Sequence, residues 1–177
     1  MEPRLPDVIS VDELTLRRPA ESDRSQLMEI FNRSDDIARW TTVPFPYTDE
    51  DFDAYLGFEE EKFIIERDGN VVGAIGARAD WETATAVFGY WLDREARGNG
   101  VITRSGTALC RRLFDAGIER IVAEVIVGNL ASGAVLDRMG FSLEGVARSV
   151  HAPRCGLGGR RIDEQIWSLL PGDLVES

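Results

Sequence analysis

The segment Trp91-Leu92-Asp93-Arg94-Glu95-Ala96-Arg97-Gly98-Asn99-Gly100-Val101-Ile102-Thr103 constrains the fold more than any other. An apolar, aromatic run at 87–92 precedes it, and a helical pattern follows over about 101–116, closed by Gly117. The segment therefore predicts a strand, a glycine turn and a helix in direct succession. The first amides of such a helix have no intrahelical acceptor and lie at the positive end of its dipole. A strand that enters a helix through Gly-x-Gly thus predicts a cradle for phosphate or another anion. Two nucleotide-binding patterns fit poorly. A P-loop needs Gly-Lys-Ser/Thr, and no lysine follows Gly100. The dinucleotide fingerprint needs a third glycine where Thr103 stands, directly after the first strand of the fold.

Composition narrows the classes further. A chain of 177 residues is long enough for one domain with a sizeable core. Its net charge of −11 disfavours nucleic acid as the main partner. No apolar run approaches the ~20 residues of a membrane span, so no membrane partner is expected. Met1-Glu2-Pro3-Arg4-Leu5 lacks a basic flank and an apolar signal core, which points to a cytoplasmic protein. Two cysteines and one histidine supply no disulfide framework and no ligand set, so no metal is expected. Cys110 falls on the apolar side of its helix with Leu109 and Leu113 and reads as core; Cys155, beside Arg154, is a weakly activated thiol at most. Acid is concentrated between Asp35 and Glu61, which hold nine Asp or Glu and one Arg. This segment reads either as solvated helix faces or as a rim that attracts a cationic amine.

Along the chain, residues 1–13 read as an N-terminal lead-in and 14–177 as a single domain. Residues 14–18 alternate as a strand stopped by Pro19, and 21–32 form a helix with Leu27, Ile30 and Phe31 on one face. Residues 40–46 are a loop with two prolines. Thr48 caps a second helix, with Asp51 three residues on. A three-strand antiparallel meander follows at 63–67, 71–76 and 86–91, its first turn an Asp68-Gly69 hairpin signal. After the helix at 101–116, residues 121–127 form the most apolar strand, predicted to be central. Residues 130–139 form a helix ended by Gly140. Strands at 142–150 and 163–170 flank a glycine-rich loop at 156–159. The order β-α-α-β-β-β-α-β-α-β-β is mixed α/β.

Arg97-Gly98-Asn99-Gly100-Val101-Ile102 resembles the acyl-coenzyme A loop of the GNAT superfamily of N-acetyltransferases, Arg/Gln-x-x-Gly-x-Gly/Ala. Arg97 and Gly100 match, and Ile102 stands where that pattern has a small residue. The longer string from Tyr90 to Thr103 is most similar to the RimJ/RimL-like branch, which acetylates ribosomal-protein N-termini. Gly128-Asn129-Leu130-Ala131-Ser132 through Gly140-Phe141 resembles the Asn-x-x-Ser…Gly-Phe segment of the same enzymes, and Leu16-Arg17 with Asp23 loosely fits their first-strand phrase. The resemblance implies the GNAT fold with a splayed central sheet and acetyl-CoA as co-substrate. It implies that Arg97, Gly98, Asn99, Gly100, Val101, Ile102 and Thr103 hold the pyrophosphate. The backbone at Trp91 and Leu92, with Asn129, would hold the pantetheine arm and the oxyanion, and Ser132 would protonate the leaving thiolate. From the residues themselves, Asn129 is equally a helix N-cap and Ser132 a second capping hydroxyl.

His151, the one imidazole, has a reference pKa of about 6.5 that suits a general base. By simple alternation it shares a strand face with Ala147 and Ser149. In the branch a carboxylate is common in this region, and water-mediated proton loss to the acidic rim is the competing route. The expected function is transfer of an acetyl group from acetyl-CoA to a primary amine, on a protein N-terminus or a small molecule, by direct attack rather than through an acyl-enzyme. The alternatives are a catalytically silent coenzyme A-binding domain and an interaction module using the 40–46 loop. An edge strand such as the last one offers a route to a homodimer.

Overall fold

A computed structural model describes residues 5–153 and 157–175. Cys155 and Gly156, with the thiol reading attached to the former, lie outside the described residues. Eight strands form one sheet: β1 (Val8–Val11), β2 (Leu14–Arg17), β3 (Glu61–Arg67), β4 (Asn70–Asp80), β5 (Thr85–Leu92), β6 (Arg120–Ile126), β7 (Ser142–His151) and β8 (Ile162–Leu169). Their spatial order is β1-β2-β3-β4-β5-β6-β8-β7. Among the described residues five α-helices accompany them: α1 (Arg24–Asn32), α2 (Asp36–Trp40), α3 (Asp49–Gly57), α4 (Val101–Asp115) and α5 (Leu130–Met139). This is the mixed α/β order expected, with additions at the N-terminus and after α1.

Local chemistry explains most boundaries. Asp68 and Gly69 both have positive φ, 53° and 78°, as a tight hairpin turn between β3 and β4 requires. Thr48 accepts from the Asp51 N–H at 3.3 Å while the Asp51 carboxylate accepts from the Thr48 N–H at 2.9 Å, closing a capping box on α3. At the other end of α3, the Lys62 ammonium donates to the carbonyls of Tyr55, Leu56 and Phe58, which have no helical partner of their own.

The helices cover the sheet unevenly. One face carries α4 and α5 over Leu14, Leu16, Phe63, Ile65, Ile75, Phe88, Ile121 and Leu169. The opposite face is covered by α1, α2 and α3 through Leu27, Phe31, Ile37 and Phe52 against Ile64 and Ala74. β3 is therefore buried on both sides. Farther along, Glu124 on β6 is exposed on that second face, beyond the reach of those helices.

Four expectations change. Part of the lead-in is strand β1, held because Leu5 and Ile9 are buried in the core. Residues 36–40 are a short helix. The last strand, β8, is no edge: it pairs with both β6 and β7, which makes β7 the outer strand. Finally, Ala147, Ser149 and His151 do not alternate simply. Ala147 pairs with Glu164 and His151 with Ile162, so four steps on β7 oppose two on β8, with Ser149 at φ 57° in the bulge.

The sheet opens where the site lies. β5 and β6 run parallel, joined by the α4 crossover, but pair only from Thr85↔Arg120 to Phe88↔Ala123. Beyond that register β5 continues to Leu92 and β6 to Ile126 with no bonds between them.

Candidate active site

The cradle forms at the upper lip of this splay. Gly98 (φ 81°) and Gly100 (φ 67°) take left-handed backbone that places the loop amides along the start of α4. The N–H groups of residues 98–103 meet no acceptor among the described residues, and the first helical bond at this end runs from Arg104 N–H to Gly100 O, 3.0 Å. No atom lies within 4 Å of where a Cβ would stand on Gly98. Val101 and Ile102 send their side chains into the core, Ile102 being only 4% exposed. The bulky residue at 102 thus fills the core and leaves the cradle clear, contributing only its amide.

Arg97 and Trp91 both make contacts within the protein. The Arg97 guanidinium is held by Asp36 at 2.6 Å and by the Leu92 carbonyl at 3.1 Å. It braces the loop against α2 and the end of β5. Trp91 packs its ring on Phe31, centroids 4.6 Å apart, on the face away from α4. Its backbone also points the wrong way. Asp93 N–H bonds Val72 O at 2.9 Å, so alternate residues Asp93 and Trp91 turn to β4, and Tyr90 and Leu92 turn their N–H groups into the splay. Asn99 folds its amide back onto Arg97 O at 3.3 Å.

The lower lip is the start of α5. Asn129 Oδ1 accepts from the Ser132 N–H at 3.2 Å, so the cap reading of Asn129 holds. Ser132 Oγ lies 2.6 Å from Tyr90 Oη, which ties the two lips together. Burial pushes the Tyr90 phenol up to about 12, with Ser132 opposing that rise through the hydrogen bond. The phenol therefore stays protonated as a donor in neutral solution. Period-2 reading of β5 puts Tyr90 with Phe88 and Leu92 toward α4, but nothing local to Tyr90 announces its partner.

On the opposite face, His151 Nε2 lies 2.8 Å from Glu164 Oε1, and that carboxylate is buried. Glu164 pairs in register with Ile126 at the open end of β6, and Ile166 pairs with Glu124. His151 thus stands on β7, with β8 between it and the splay. Cys110 is fully buried in the core, and that burial holds its thiol far above the usual range, away from any nucleophilic role.

The acidic segment is largely engaged. Asp36 pairs with Arg97, Asp49 and Asp53 with Arg24, Asp35 with Arg39 and Glu61 with Arg18, while Asp51 caps α3. These charges orient α1–α3 and leave few of them as a free anionic rim. The short α2 reaches both lips. Asp36 holds Arg97 beyond β5, and the tip of the Trp40 ring lies 3.9 Å from where a Cβ would stand on Gly128, just past β6.

The sequence profile of the acetyltransferase (GNAT) domain matches residues 13–142. A ribosomal-protein-serine acetyltransferase of Escherichia coli (strain K12) is 35% identical over 85 residues, 47% of this chain and 48% of that protein. The chain thus spans about half the length of the curated relatives it matches. Among solved structures, the microcin C7 self-immunity acetyltransferase MccE, in complex with acetyl-CoA and AMP, superimposes with a TM-score of 0.78 at 27% identity, covering 93% of this chain and 97% of that one. Mycobacterium smegmatis RimJ, in complex with CoA-disulfide, gives a TM-score of 0.81 at 23% identity over 100% and 93% of the two chains. With the splayed strands, the glycine-built cradle and the profile match in agreement, the chain belongs to the acetyltransferase (GNAT) domain family.

Proposed function

We propose that this chain is an N-acetyltransferase that takes an acetyl group from acetyl-CoA and delivers it to a primary amine by direct attack. The observation that carries the reading is the row of unpartnered amides at 98–103, set at the mouth of the β5–β6 splay. Open glycines and inward-facing Val101 and Ile102 fit a diphosphate there. The co-substrate supplies an activated acyl carbonyl and a thiol leaving group. The chain's own groups do the rest. The free N–H of Leu92 faces the gap, where it can hold the carbonyl oxygen as it gains charge; one such donor is worth about 3 kcal/mol. Asn129 shapes the lower lip for the pantetheine arm. The Ser132 hydroxyl, held by Tyr90, is the donor for the departing thiolate. On the opposite face the amine proton leaves through water toward Glu124 on β6, and the His151–Glu164 pair, farther from the splay on β7 and β8, is the base that finally holds it.

The acceptor proposed is a protein N-terminus, supported by the E. coli relative, named for acetylating a ribosomal protein. Thiol release from acetyl-CoA should depend on peptides with a free α-amine and exceed that with polyamines. Gly100→Asp puts a carboxylate in the anion cradle and should abolish coenzyme A binding by calorimetry without changing the circular dichroism melt. Unchanged affinity would sink the assignment. Binding without turnover on any amine would make the chain a silent coenzyme A-binding domain instead.

A further inference from the structure

A cation beside the cradle has no part in the chemistry above. Arg104 follows Thr103 in the first turn of α4 and faces outward, since Val101, Ile102 and Ser105 are buried. Its Nη2 donates to Asn99 O at 3.4 Å, and its Nε is the nearest group, at 4.0 Å, to the position of a Cβ on Gly100. The guanidinium therefore lies along the loop whose amides await an anion. It is already gripped. Nη1 donates to Asp12 Oδ2 at 3.1 Å and to Glu13 Oε2 at 2.8 Å, and Nη2 to Glu13 Oε1 at 2.8 Å. Asp12 turns the β1–β2 connection with φ 51°, which aims both carboxylates at α4. Two carboxylates on one guanidinium leave a net negative charge beside a site built for a polyanion. Carboxylate and phosphate present the same paired oxygens to an arginine fork.

We propose that Arg104 is a phosphate ligand of coenzyme A and that Asp12 and Glu13 compete with that phosphate for it, so that the β1–β2 turn sets the affinity for the co-substrate. This rests on the acetyl-CoA reading above. β1 and Asp12 precede the region matched to the family profile, which begins at residue 13. Both carboxylates are well exposed and return to water when displaced, and Arg67, opposite Leu14 across β2 and β3, remains near Glu13.

The test is calorimetric titration of coenzyme A into wild type, Arg104→Gln, the pair Asp12→Asn with Glu13→Gln, and all three together. Arg104→Gln should weaken binding about tenfold, the weight of one charge-assisted contact. Neutralising the two acids should tighten binding about threefold or more, and this gain should vanish when Arg104 is already replaced. Dephospho-coenzyme A separates the sources. An Arg104 effect that disappears with it assigns the 3′-phosphate, and one that persists assigns the diphosphate. If neutralising the acids still tightens binding without Arg104, the effect is long-range charge and the proposal fails. It also fails if Arg104→Gln binds like wild type while Gly100→Asp abolishes binding, an outcome that leaves the acetyl-CoA reading intact. No binding by wild type overturns both. Should the doubly neutralised turn unfold in a thermal melt, Glu13→Gln alone carries the comparison.

Discussion

Asp23 is 1% exposed and carries a full set of partners. Arg17 clamps it with both terminal nitrogens, at 2.9 and 2.7 Å, and the Ala20 N–H adds a bond at 2.8 Å. Burial alone would raise its carboxyl, but Arg17 and the Ala20 amide outweigh it and bring the group below its ordinary 3.8. The sign follows. A carboxyl whose folded value is depressed stabilises the fold at neutral pH, and that contribution is lost as pH falls from about 4 through the lower folded value. Asp23→Asn should therefore cost about 3 kcal/mol at neutral pH, the usual penalty for removing one partner of a buried pair, and should flatten the acid limb of stability between pH 5 and 2. Urea titrations across that range check both, and an unchanged acid limb would remove Asp23 from the account. At this scale the sequence was legible where the partner is near. Thr48 with Asp51 on α3 and Asn129 as the cap of α5 were both readable, and both close their bonds within three residues. Tyr90 and Ser132 are 42 positions apart, so only the fold reveals that they touch. The same holds for Arg97 and Asp36, 61 positions apart.

Elements were legible in proportion to their length and their caps. α4 and α5 have clear periods and glycine stops, so both were placed closely from the pattern. β1 and α2 were missed because four or five residues cannot show a period, and an isolated helix of one turn has no stability of its own. What holds α2 is tertiary: Ile37 buried in the α1–α3 core and Asp36 on Arg97. The glycine stops themselves differ in a way the pattern does not show. Gly140 ends α5 at φ 97°, and a Cβ there would collide with the Asp173 carbonyl, whose segment is pinned by Val175 N–H on Met139 O at 3.2 Å. Gly117, after α4, has φ 107° but nothing within 4 Å of such a Cβ. Gly117→Ala should cost about 1 kcal/mol for the backbone alone, and Gly140→Ala about 3 kcal/mol or more because backbone must also move. Equal losses in denaturant unfolding would mean that the 171–175 segment yields freely.

Over the whole molecule, the sheet separates the two halves of the proposed site onto its two faces. The cradle and the Ser132–Tyr90 pair lie on the side of α4 and α5, while Glu124, Glu164 and His151 lie on the other. In the proposed reaction the splay between β5 and β6 is the passage through which the two sets meet. The resemblance pointed to an open sheet but not to what spans the opening, because that contact joins residues from three distant segments. α2 spans it, with Asp36 at the upper lip and Trp40 at the lower. The Asp36–Arg97 pair is too exposed to add more than about 1 kcal/mol to stability, so its consequence is positional. If the amine enters from the α1–α3 side, Trp40 forms one wall of its path. Trp40→Ala should then raise KM for the acceptor peptide about tenfold, while the affinity for coenzyme A, whose proposed cradle is on the far side of the sheet, stays within about twofold. Steady-state kinetics on the peptide, paired with calorimetry on coenzyme A, separates the two effects. An acceptor KM left unchanged would move the entry path away from α2, toward β7, and a parallel loss of coenzyme A affinity would mean that α2 holds the splay itself in shape.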